Sequence, residues 1–179
     1  MNLKYYVENS MTINQILSEK FELSARLKNK LIKNNSILKN GSFEDTRTIA
    51  KPGDIITIVL DSPEDNSNIM PTQMNLNIIY EDKHLLAINK PAGIAVHPSI
   101  LHFADSLSNG VRYYFDSIGL KKKIRPINRI DLNTSGLVLF AKNEYIQECL
   151  IKQMASNTFK KSYFCLVDGF LKNKKRNYK

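Results

Sequence analysis

The chain has little cysteine. Its only two, Cys149 and Cys165, sit in apolar surroundings, with no Cys-x-x-Cys pair and no histidine at ligand spacing. That pattern excludes a disulfide framework and a thiolate metal site and favours buried, reduced thiols. It also lacks any apolar run near the ~20 residues of a membrane span. The first residues, Met-Asn-Leu-Lys-Tyr-Tyr, have no apolar secretion core, so a cytoplasmic protein is expected. Acidic residues are scarce on one side only. Residues 1–75 hold nine Lys or Arg against nine Asp or Glu, whereas 76–179 hold 17 against eight, which carries the whole net charge of +9. A basic half beside a neutral half suggests a polyanion partner, nucleic acid first, with a merely soluble basic surface as the other reading. What is present is ordinary for a soluble globular protein: 42% hydrophobic and 24% charged residues over 179 positions. A chain of that length buries enough of itself to fold without cofactor or disulfide.

After a strand expected over 3–8, Thr12-Ile13-Asn14-Gln15 matches a capping box and opens a helix with Ile13, Ile16 and Leu17 on its apolar stripe. Ser24 caps a second helix, in which Leu27 and Leu31 face one way while Arg26, Lys30 and Lys33, spaced i, i+4, i+7, share another face. Asn40-Gly41 is a hairpin turn, because both residues tolerate positive φ, and Lys51-Pro52-Gly53-Asp54 turns the chain into a strand at 55–60. This run of elements resembles the small RNA-binding module shared with the fourth small-subunit ribosomal protein. The resemblance implies that Arg26, Lys30 and Lys33, with Lys39 beside the hairpin, meet RNA phosphates. A module at 1–61 is followed by 62–75, whose Pro, Ser and Asn/Gln content reads as a linker.

Strands are expected at 77–80 and 85–89, a loop through Lys90-Pro91-Ala92-Gly93 and Val96-His97-Pro98, and a helix at 105–115 that Gly110 weakens. The basic run Lys121, Lys122, Lys123 precedes the most informative stretch, Asn128-Arg129-Ile130-Asp131-Leu132-Asn133-Thr134-Ser135-Gly136, which leads into an apolar strand at 137–141. Asp131 therefore stands on a loop just ahead of a rigid strand. From the residues alone this is either a catalytic carboxylate or an Asp that caps a turn. Asn143 caps a helix carrying Ile146, Leu150 and Met154 on one side, a strand is expected from Tyr163 to 169, and 171–179 reads as a disordered basic tail.

Four stretches in fixed order closely resemble the RluA family of RNA pseudouridine synthases: Ile79-Tyr80-Glu81-Asp82 through Val96-His97-Pro98, Asn128-Arg129-Ile130-Asp131, Thr134-Ser135-Gly136-Leu137 through Ala141-Lys142, and Lys161-Ser162-Tyr163 through Val167-Asp168-Gly169. The resemblance implies an α+β chain: the small RNA-binding module, then at 76–170 the first part of a mixed or antiparallel-sheet catalytic domain. It implies isomerisation of uridine to pseudouridine in ribosomal or transfer RNA, without metal or cofactor. Asp131 would supply the carboxylate at the sugar, Arg129 would pair with it or fill the space of the flipped base, and Tyr163 would stack on the uracil. Lys121, Lys122 and Lys123 would add phosphate affinity.

Asn128 stands where the family often has His. The family normally continues well past Lys-x-Tyr to a Gly-Arg-x-His-Gln-Ile-Arg motif that this sequence does not contain. Strands 137–141 and 163–169 are therefore expected to expose edges. An active synthase, an RNA-binding remnant without chemistry, and a structural or protein-interaction domain are the three readings.

Overall fold

The computed structural model describes residues 1–60 and 62–169, so the tail expected at 171–179 lies outside them. The first half opens with β1 (Asn2–Tyr6) and β2 (Met11–Thr12), followed by α1 (Ile13–Glu19) and α2 (Ala25–Lys33). Both helices start on the caps their sequences announce. The Thr12 hydroxyl accepts from the Gln15 amide at 3.2 Å while the Gln15 side chain accepts from the Thr12 amide at 2.9 Å. Ser24 accepts from the Leu27 amide at 3.1 Å. The chain then forms β3 (Ile37–Lys39), β4 (Ser42–Phe43), β5 (Ile49–Ala50) and β6 (Ile55–Val59). Asn40 and Gly41 take φ of 51° and 89°, the left-handed pair that a tight hairpin between β3 and β4 needs. An antiparallel sheet of order β1-β6-β3-β4 buries Ile37, Ile56 and Ile58 against Ile16, Leu17 and Leu27 of the helices.

Segment 62–75 contains no helix or strand, yet it is packed. Asn66 is buried, accepting from the Ile124 amide and donating to the Lys122 carbonyl, and Ile69 enters the second core. Its composition hides this, because its buried residues are few and the side-chain partners of Asn66 lie 56 and 58 positions away.

The second half comprises β7 (Ile78–Glu81), β8 (Leu85–Lys90), α3 (Leu107–Ser117), β9 (Gly136–Ala141) and α4 (Glu144–Ala155). The strands form an antiparallel sheet of order β7-β8-β9, which buries Leu86, Ile88, Val138 and Phe140 against Val111 and Phe115 of α3. The free side of β9 is covered by residues 125–127. The Ala141 amide donates to the Arg125 carbonyl at 2.9 Å and the Ile127 amide to the Leu139 carbonyl at 2.7 Å, with Pro126 bridging Phe140 between them. The open edge expected at 137–141 is therefore closed by the chain's own preceding loop.

A second expectation also fails. Residues 161–169 form neither helix nor strand, and Phe164 and Leu166 are fully exposed. A strand exists through the ladder of its neighbour, and the nearby edge of β9 is already taken by 125–127. No helix among the described residues is long and apolar enough to cross a membrane.

Helix α4 is where the halves meet. Tyr145 packs against the first core, and Glu148 accepts from both the amide and the hydroxyl of Ser24 at the start of α2. Lys152 reaches Glu22. Between them, Lys30 of α2 bonds Glu64 at 2.9 Å and Glu144 at 2.6 Å, while Arg125 bonds Glu64 through both terminal nitrogens. Four charges from α2, segment 62–75, the loop before β9 and α4 thus form one partly buried cluster.

Candidate active site

Loop 128–135 is fixed at both ends by side chains. At its start Asn128 lies against β9 and extends the sheet by one side chain. Its amide nitrogen donates to the Leu137 carbonyl and its oxygen accepts from the Leu139 amide, both at 2.9 Å. From the other side comes Lys90, fully buried at the end of β8. Its ammonium donates to the carbonyls of Pro91 (2.9 Å), Ile94 (2.7 Å) and Leu132 (3.0 Å), which joins loop 91–94 to the residue after Asp131. The Gly93 amide adds a 2.9 Å bond to the same Leu132 carbonyl. Burial pushes the Lys90 ammonium below the ordinary lysine pKa, and the negative charge of Asp131 works against that fall.

Asp131 itself is exposed and lines a cleft of about 800 Å³ with His97, Arg129 and Lys161 among its other walls. Among the described residues its carboxylate forms no hydrogen bond or ion pair, so both oxygens are open to a ligand. Arg129, expected as its partner, is not paired with it. The Arg129 charge is felt instead by His97, whose imidazole pKa is lowered by burial and by that guanidinium. Tyr163 lines a neighbouring cleft of about 660 Å³ with Leu137, Leu139 and Phe159. The two clefts share Asn128, Ile130 and Lys161 as a common wall.

The basic residues expected to meet RNA divide into two sets. Arg26, Lys33, Lys121 and Lys123 are exposed, and among the described residues none has an ion-pair partner. Lys30 is committed to Glu64 and Glu144, Lys39 lies 3.2 Å from Asp54, and Lys122 donates to the carbonyls of Leu60 and Ser62. A helical face shows which lysines align; it is silent on the carboxylates that the fold brings to them. The face of α2 that carries Arg26 and Lys30 is turned toward α4.

Lys90 and the clamping role of Asn128 were not foreseen. Lys90 does leave a trace, since Leu86, Ile88 and Lys90 alternate at period two and so share the buried face of β8. Nothing local announces the Asn128 bonds. Among the described residues no group of three or more His, Cys, Asp or Glu side chains is placed to hold a metal ion.

Comparison with known proteins bears on the same residues. A family described as RNA pseudouridylate synthase matches residues 84–178. "Uncharacterized RNA pseudouridine synthase YlyB" of Bacillus subtilis (strain 168) is 34% identical over 143 residues, which take in 78% of this chain and 47% of that protein. "Ribosomal large subunit pseudouridine synthase D" of Borreliella burgdorferi is 33% identical over 174 residues, covering 90% of this chain and 52% of that one. The chain spans about half the length of these curated relatives. A solved structure, human RNA pseudouridylate synthase domain containing 4, aligns with a TM-score of 0.38 at 21% identity, over 46% of this chain and 30% of its own.

Proposed function

The chain belongs to the RNA pseudouridylate synthase family, and from there we propose that it isomerises uridine to pseudouridine within ribosomal or transfer RNA through the carboxylate of Asp131. The observation that carries the reading is the presentation of that carboxylate. It is exposed and unpartnered on a cleft of about 800 Å³, on a loop held by Asn128 and Lys90. Breaking the bond from C1′ to N1 leaves the sugar electron-deficient, and an anionic oxygen beside it can attack C1′ or take a proton from C2′. The same oxygen serves either route. Uracil then rejoins C1′ through C5, which breaks the Asp131–C1′ ester on the first route or returns the proton from Asp131 to C2′ on the second. C5 gives up its proton to solvent and N1 takes one up.

The target nucleotide leaves its stack to reach this loop, at a cost of a few kcal/mol. Tyr163, exposed on the adjoining cleft, offers a ring worth ~1–3 kcal/mol of stacking. Arg129, exposed and unpaired, is free to occupy the space the base vacates. Residues 1–61 act in this reading as an RNA-binding module and 76–170 as part of the catalytic domain. The name of the Borreliella relative favours ribosomal RNA as the substrate.

The test uses ribosomal RNA transcripts tritiated at uridine C5, from which each isomerisation releases one tritium. The full chain is expected to release it, and Asp131→Asn to lose on the order of a thousandfold or more of the rate with RNA affinity kept within about twofold. Equal release by the Asn variant would remove Asp131 from the chemistry. Absence of release from the unaltered chain, with RNA still bound, would leave binding without turnover.

A further inference from the structure

Three surface depressions run end to end across the junction of the halves, and each shares a wall with the next. The first, between α2 and α4, has a volume of about 390 Å³ and is bordered by Arg26 and Lys123. The second, of about 330 Å³, is bordered by Lys123 and His97. The third is the Asp131 cleft, with His97 and Arg129 on its walls.

Asp131 stands open at the end of the track, and the other carboxylates that border it are occupied. Glu144 is paired with Lys30, and Glu148 accepts from Ser24. Asp65, whose charge interacts with Lys123, accepts from the amide and hydroxyl of Ser67. What remains uncommitted before Asp131 is a file of cations, Arg26, Lys123 and Arg129, with Lys161 beside Arg129 in the last cleft and one flat ring, His97, between Lys123 and Arg129. That ring is uncharged at neutral pH, because burial and the Arg129 guanidinium lower the His97 pKa. A groove of spaced cations interrupted by a stacking surface is the pattern that holds a single nucleic-acid strand, where phosphates follow the charges and bases the rings.

We propose that this track is a binding site for a single-stranded RNA flank, with phosphates on Arg26 and Lys123 and a base on His97 before the target nucleotide enters the Asp131 cleft. The inference rests on the reading of Asp131 above for the identity of that last nucleotide. It makes Arg26 and Lys123 parts of one site although 97 positions separate them in the chain, and it leaves Lys30 and Lys122 out of the RNA interface.

The experiment measures anisotropy of a short fluorescein-labelled single-stranded RNA titrated with the full chain at several salt concentrations. Arg26→Glu and Lys123→Glu are each expected to weaken binding about tenfold and to lower the salt slope by roughly 0.7, as for loss of one phosphate contact. His97→Ala is expected to weaken binding about fivefold with the slope unchanged. Lys51→Glu and Lys83→Glu make the same charge change away from the track and are expected to stay within about twofold. Equal weakening by all four reversals would mean a diffuse field and overturn the track, as would no weakening by any. Far-UV circular dichroism, with Arg26→Ala and Lys123→Ala as milder variants, separates lost contacts from lost fold. Tritium release measured in parallel keeps the two conclusions apart. Track variants that fail to bind while the unaltered chain releases no tritium uphold the track against the enzyme reading; full release with unaltered binding by those variants does the reverse.

Discussion

Asn128 decides where loop 128–135 points. Its two bonds to β9 use a donor and an acceptor from one planar amide, held 2.9 Å from a carbonyl and a backbone N–H of the same strand. Asn128→Ala is expected to cost about 1–3 kcal/mol by leaving those backbone groups unpaired, and to slow tritium release because Asp131 three positions later is no longer aimed. Asn128→Asp is expected to do worse near neutral pH, since a carboxylate accepts from Leu139 but repels the Leu137 carbonyl. Urea midpoints and tritium release on the same preparations check both. Equal activity in all three proteins would mean that Lys90, through the carbonyl of Leu132, holds the loop without Asn128. The type and order of the residues here were legible in the sequence, whereas their bonds were not. Asp131 and Arg129 share a motif yet are not paired with each other, the charge of one acting on Lys90 and of the other on His97, and the 42 positions between Lys90 and Leu132 put their contact beyond any local pattern.

Elements that begin on their own residues were easily read. Thr12 with Gln15, Ser24 and Asn143 each satisfy backbone groups within a few positions, and Asn40-Gly41 supply the positive φ of their own turn, so the capping and turn rules suffice. The strand expected from Tyr163 depended on a partner edge, and the edge of β9 was claimed by residues that local rules assign to a loop. Helix α3 shows the opposite case, a residue expected to weaken its element that instead permits a neighbour. At Gly110 an added Cβ would lie 3.0 Å from the Cβ and sulfur of Met74 and 3.1 Å from Leu76. Segment 62–75 therefore crosses the helix where there is no side chain to obstruct it. Gly110→Ala gains about 1 kcal/mol of helix propensity but costs about 1–3 kcal/mol in forced packing. The expected net effect is destabilisation by about 1 kcal/mol, because the Met74 Cβ moves only with its backbone. A raised urea midpoint for the variant would show that this crossing is slack.

For the whole molecule, the cluster of Lys30, Glu64, Arg125 and Glu144 sets the response to acid. Burial by itself would raise the Glu64 pKa, but hydrogen bonds from Arg125 and Lys30 outweigh it and hold the group at about 2, against an ordinary value of 4.5. The unfolded chain protonates Glu64 near 4.5, and the folded chain resists until about 2. Between those values the unfolded form binds more protons, so this contribution is complete above pH 4.5 and is lost as pH falls toward 2. Urea midpoints of the unaltered chain are expected to drop across that window. Glu64→Gln is expected to show a shallower drop and to be less stable at pH 7 by roughly 3 kcal/mol, because it strips the buried Arg125 of a counter-charge. Parallel pH profiles for the two proteins would show that the halves are held together by other contacts. The segment bounded by Pro126 and Asn128 has a second effect on how the protein behaves in solution. Pro126 has no N–H to offer a passing strand, and the Asn128 amide occupies the next rung of β9, so the surface that aims the carboxylate also denies foreign chains a template. Damage at position 128 should therefore bring lost turnover and a tendency to self-associate together, and neither can be repaired without the other.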